Sequence, residues 1–180
     1  NKKYGVQYNS DDEIIVTVGG SEAIDVAIRA LVDVGDEVLV VEPSFVCYAP
    51  LVELAGGVAV SVPTKIENNF KLTPEDLEGK ITEKTKLLIL PFPNNPTGAV
   101  MTKEDLEKIA DVLRDTNVIV LSDEIYSELT YGRKHYSIIQ IDGMRERTIY
   151  VNGFSKAYAM TGWRLGYLTA PKEIVSQLVK

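Results

Sequence analysis

The 180-residue chain is predicted to fold as an α/β protein, a three-layer α/β/α sandwich built on a mixed, mostly parallel sheet of seven strands. Three observations predict it. Seven short runs rich in β-branched and apolar residues occur at 14–18, 38–42, 58–62, 86–90, 118–122, 148–152 and 165–169. Most of them alternate with helix-length stretches, the pattern of parallel strands whose crossovers cover both faces of a sheet. The sixth and seventh runs are separated only by residues 153–164, a segment with two glycines, so the seventh strand is expected to lie antiparallel or to enter through an irregular turn.

The helices are signalled locally. Ser21 is placed to cap a helix that runs to about Val32. Thr73 precedes Pro74 at a first helical position, and Thr102 stands three residues before Asp105 in the spacing of a capping pair. Segments 63–72 and 131–147 are polar and read as surface connections. No internal repeat, low-complexity tract or Pro/Gly/Ser-rich linker divides the chain, so residues 1–180 are expected to form one domain. The beginning lacks Met and an apolar leader, and the end, residues 174–180, stops inside a helical pattern without a cap. The chain is therefore expected to be a fragment.

Composition narrows the function. With 45% apolar and 25% charged residues the chain sits in the ordinary globular range, and no apolar run approaches the roughly 20 residues of a membrane span. It reads as soluble, with no membrane partner. A net charge of −7, without a Lys/Arg cluster interleaved with aromatics, argues against nucleic acid. One cysteine, Cys47, excludes an internal disulfide framework and agrees with a reducing, cytoplasmic setting. One His and one Cys make a structural metal site improbable, and no metal is expected.

Five segments carry chemistry. Gly19-Gly20-Ser21-Glu22 follows the first strand and opens the first helix, where free backbone N–H groups and the helix dipole favour an anion such as phosphate. An ordinary turn with a Ser cap is the alternative. Glu22 is counted with this segment, yet its carboxylate would repel a phosphate, so its side chain is expected to point away. Asp123 stands at the carboxyl end of a buried strand, the place where open α/β sheets put their ligands. A lone carboxylate there needs a cationic partner, or else serves as a helix cap. Asn94-Asn95-Pro96-Thr97-Gly98 is on its face a turn. Lys156 lies directly after the sixth strand among largely apolar neighbours, with Arg164 as the next basic residue. A lysine amine attacks a carbonyl only when neutral, which desolvation and nearby positive charge both favour. Arg164 suits phosphate through its planar, permanently charged fork.

Taken together, these segments resemble those of the class I/II aminotransferases of the aspartate aminotransferase fold type, over nearly the whole chain. The resemblance implies pyridoxal 5'-phosphate (PLP) as cofactor, held through a Schiff base to Lys156, which then serves as general base and acid. Asp123 is the implied partner of the pyridine nitrogen, with Tyr126 and Asn95 donating to the ring oxygen. Gly20, Ser21, Ser155 and Arg164 are the implied phosphate ligands. Phe45 resembles the aromatic that stacks on the ring, or is a core aromatic at a helix start. Family members often carry serine three positions before the lysine, where this chain has Gly153, so one phosphate contact is missing.

The activity implied is amino transfer from an amino acid to a 2-oxo acid. The resemblance further implies a homodimer, and a chain that is the large domain without its N-terminal arm and C-terminal small domain. A lyase or decarboxylating transferase of the same fold, or a non-catalytic PLP-binding sensor, would carry the same residues.

Overall fold

The computed structural model describes residues 3–180. Seven strands form one sheet: β1 (Ile14–Val18), β2 (Glu37–Glu42), β3 (Val58–Pro63), β4 (Thr85–Leu90), β5 (Ile119–Asp123), β6 (Thr148–Gly153) and β7 (Leu165–Thr169). Their spatial order is β1-β7-β6-β5-β4-β2-β3. Strands β2 to β6 pair in parallel, whereas β7 is antiparallel to both β6 and β1. Six strands therefore point the same way, and β1 ends at the same edge of the sheet as β4, β5 and β6.

Side-chain alternation divides each central strand between two cores. Leu88, Leu90 and Val120 face one side with Leu106, Ile109 and Leu113 of α4 (Lys103–Leu113) and Leu77 of α3 (Pro74–Leu77). Leu87, Ile89, Leu121, Ile149 and Val151 face the other, where they meet α1 (Gly19–Leu31), α2 (Tyr48–Leu54) and α5 (Lys172–Leu178). Both faces being covered, these strands read as unbroken apolar runs. In α1 the buried positions Ala23, Ile24, Ala27 and Ile28 repeat at helical spacing, which fixes the face laid on β6 and β7.

The capping pair in front of α4 is present: Asp105 N donates to Thr102 Oγ1 at 3.2 Å and Thr102 N to Asp105 Oδ2 at 2.9 Å. Ahead of α3 the same geometry is half seen, with Thr73 N donating to Asp76 Oδ2 at 2.9 Å, but the helix lasts one turn.

Two expectations are corrected. Helix α1 starts at Gly19, two residues before Ser21, and its capping acceptor is Glu22, whose Oε2 takes the Val18 N–H at 2.6 Å. Segment 131–147 is also more than a surface connection. It turns twice as a 3₁₀ helix and buries His135, Ser137, Ile138, Ile139, Ile141 and Met144. Its apolar residues are interspersed with polar ones, and the polar average hid them. Segment 63–72 keeps mostly exposed residues but sends Leu72 into the core.

Candidate active site

The start of α1 is held against β7 by backbone alone. A Cβ on Gly166 would lie 2.5 Å from Gly19 C and 2.6 Å from Gly20 N, so only glycine lets the strand pass beneath the helix start. Gly19 itself sits at φ +77, and a Cβ there would come within 2.2 Å of Arg164 Nη2. That absent side chain is the space the Arg164 guanidinium fills, with Nη1 donating to Thr161 O at 3.1 Å and Nη2 to Val18 O at 3.4 Å. With Glu22 occupied at Val18 N, the N–H groups of Gly19, Gly20 and Ser21 have no intrahelical acceptor. An exposed arginine fork and a helix N-terminus thus converge on one spot.

Asp123 closes β5 and is buried. Its Oδ2 accepts from Tyr48 Oη at 2.7 Å and its Oδ1 from Ile125 N at 3.2 Å. Burial pushes the carboxyl above its ordinary range; the bonds from Tyr48 and Ile125 and the charge of Lys156 pull it down, and Glu124 pushes it up. Turn capping thus uses Oδ1, while Oδ2 holds the Tyr48 hydroxyl. Tyr48 is a site residue that sequence reasoning missed. It is 2% exposed, and its own phenol is pushed up by burial and by Asp123. The available signal was its position one helical turn after Phe45, just past the end of β2.

After β4 two adjacent asparagines divide their tasks. Asn94 makes the turn, its Oδ1 accepting from Thr97 N at 3.1 Å and Thr97 Oγ1 at 2.8 Å while its carbonyl accepts from Gly98 N. Asn95 takes no part in those bonds and lines the cleft.

Lys156 follows β6 in a turn closed by Ala159 N to Lys156 O and Met160 N to Phe154 O. Its Nζ lies 5.5 Å from the Tyr126 ring centroid, within cation–π range. The desolvated setting expected for this amine is not provided by these neighbours. Lys156 is exposed, because Phe154 packs away from the cleft against Tyr158 and Tyr167. Ser155 is buried beside it. Gly153 also gains a reason: a Cβ there would lie 3.0 Å from Ile125 Cδ1 and 3.0 Å from Leu165 O, so a larger residue would press on β7.

A single cleft joins these groups. Gly20, Ser21, Phe45, Asn95, Asp123, Tyr126, Ser155, Lys156 and Arg164 all line it, together with Tyr48 and Thr161. Of the residues singled out from sequence only Glu22 does not, since its carboxylate turns back to Val18. Phe45 stands edge-on to Tyr48, with ring centroids 5.8 Å apart, so it is both a packing neighbour and a cleft wall. The cleft brings together an anion cradle, a buried acid and a primary amine.

Comparison with known proteins agrees with this arrangement. The family profile "Aminotransferase class I and II" matches residues 1–180. The aspartate aminotransferase of Pyrococcus abyssi is 50% identical over 180 residues, covering 99% of this chain and 46% of that protein. An aromatic-amino-acid aminotransferase from Thermococcus litoralis is 49% identical, with 99% and 46% covered. A solved aromatic aminotransferase from Pyrococcus horikoshii superposes with a TM-score of 0.95 at 49% identity, covering 99% of this chain and 48% of that structure. The chain thus spans about half the length of the relatives it matches. Members of the family depend on PLP. On the strength of the full-length profile match and the shared fold, the chain belongs to the class I and II aminotransferases.

Proposed function

We propose that this chain is the PLP-binding large domain of a longer aminotransferase that moves an amino group from an amino acid to a 2-oxo acid. The observation that carries the proposal is the meeting of Asp123, Lys156 and Arg164 in one cleft at the carboxyl edge of the sheet.

The groups present fit the cofactor. Arg164 and the N–H groups of Gly20 and Ser21 match a phosphate, the buried acid raised by its surroundings has no ion-pair partner among the described residues and suits a pyridine nitrogen, and Lys156 lines the cleft. When bound, PLP supplies an electron-poor ring that stabilises negative charge at the substrate carbon. Asp123 would keep the pyridine nitrogen protonated, and Tyr48 and the Ile125 N–H keep the carboxylate oriented. Asn95 and Tyr126, both lining the cleft, would donate to the ring oxygen. Lys156 Nζ, a primary amine in the cleft, would hold the cofactor and would move the proton at the substrate Cα as general base and acid. Phe45 limits the position of the ring from the α2 side. Two active sites in a homodimer, completed by segments outside this chain, and a cytoplasmic location consistent with its single cysteine complete the reading.

The test uses the protein that contains this chain, loaded with PLP and given a ¹⁵N-labelled amino acid with a 2-oxo acid. Label should appear in the amino acid formed from the oxo acid, and Lys156→Ala should abolish it. Release of label as ammonia, with no transfer, would overturn the transferase reading in favour of elimination.

A further inference from the structure

Strand alternation sends Asp123 to the α1/α2 face and its neighbour Glu124 to the opposite one. Glu124 is 1% exposed, and no step above uses it. Its Oε1 accepts from Ser122 Oγ at 3.1 Å and from Ser137 Oγ, and its Oε2 accepts from His135 Nε2 at 2.6 Å and from Tyr4 Oη at 3.4 Å. The four donors come from the end of β5, the nearby 131–147 segment and the distant N-terminal stretch. His135 is the only histidine of the chain, and its Nδ1 is buried without a partner among the described residues. Its ring is thus committed to Glu124 through Nε2. A carboxylate in such a place is costly unless its lone pairs are filled, and here they are.

We propose that Glu124 is a positioning residue for Asp123, fixing the end of β5 from behind the sheet through this clamp and lending the site a second buried negative charge. The inference rests on the role given to Asp123 above. From the far side of the sheet, Glu124 works against ionisation of Asp123 and makes a cation at the cleft side of Asp123 more favourable. The other ionisable groups around Asp123 are Tyr48 from α2, Tyr126 on the same segment and Lys156 after β6. Those around Glu124 are His135, Tyr4, Tyr8, Tyr150 of β6 and Tyr167 of β7, with Lys3 over the Tyr4 ring.

Glu124→Gln preserves side-chain size and removes the charge. In protein labelled with ¹³C at aspartate carboxyls, with Asp123→Asn assigning the signal, the Asp123 titration midpoint is expected to fall in Glu124→Gln. A purely architectural Glu124 would alter stability but leave the midpoint in place, and an unchanged or raised midpoint overturns the proposal. The titration is made without cofactor, so its failure is separable from failure of the amino-transfer assay. Unmodified protein gives a second reading that holds even if the variant does not fold. The His135 Nε2 proton should appear in ¹⁵N-edited spectra as protected from solvent exchange, and an unprotonated or freely exchanging Nε2 would remove the clamp.

Discussion

At the scale of single residues, Asp123, the proposed partner of the pyridine nitrogen, is a buried carboxyl that costs the fold stability. Its carboxyl is buried and raised, so the folded chain keeps the proton to higher pH than the unfolded chain does. Between the ordinary carboxylate midpoint and the folded one, the native state binds more protons, and stability falls as pH rises through that window. Asp123→Asn removes the titrating group. Its unfolding free energy, measured by urea denaturation across pH, should therefore gain on the unaltered chain as pH rises through the window and stay offset above it. An unaltered chain that gains on the variant with rising pH would contradict this account. Tyr48 belongs to the same scale. Its hydroxyl is one of two donors on Asp123, and hydrogen bonds to charged groups contribute about 1.5–3 kcal/mol. Tyr48→Phe should therefore raise the Asp123 midpoint, which the same titration would show.

At the scale of elements, the start of α1 separates two tasks that the sequence presents as one. In sequence the Gly19-Gly20-Ser21 motif reads as an anion cradle, with Ser21 also as the cap. The structure gives capping to Glu22 and leaves Ser21 facing the cleft. Glu22→Ala should cost about 0.5–2 kcal/mol in denaturant unfolding, the range for a lost cap, with little effect on phosphate affinity. Ser21→Ala should do the reverse, weakening binding of PLP while leaving stability within a few tenths of a kcal/mol. Equal stability losses in both variants would return the cap to Ser21. Local signals were strong where one pattern had one cause, as at Thr102 and Asp105 before α4. They failed at Lys156, whose apolar sequence neighbours Phe154 and Tyr158 turn to the other side of the loop. Sequence proximity did not report on which side of the turn each ring would pack.

On the scale of the whole molecule, the seven runs and the reversal at β7 followed from hydrophobic pattern and connection length, and these placed Asp123, Asn95 and Lys156 at connected strand ends. Tertiary contacts decided what the pattern could not. The order in which β1 joins the sheet beside β7 brings Gly19 to Arg164, residues 145 positions apart in the chain. Segment 131–147 completes the core behind β5 although its composition is that of a loop. Ile138, 1% exposed, tests that packing: Ile138→Ala should cost about 2–5 kcal/mol in chemical denaturation, as for a core residue, and a loss within about 0.5 kcal/mol would restore the surface reading. The central claim is that the topology brings one lysine, one buried acid and one arginine around a single PLP. It is tested most directly by adding PLP, reducing with borohydride and locating the modified residue by mass spectrometry. The account predicts label on Lys156, lost in Lys156→Ala; label on another lysine, or equal labelling of both proteins, would contradict it.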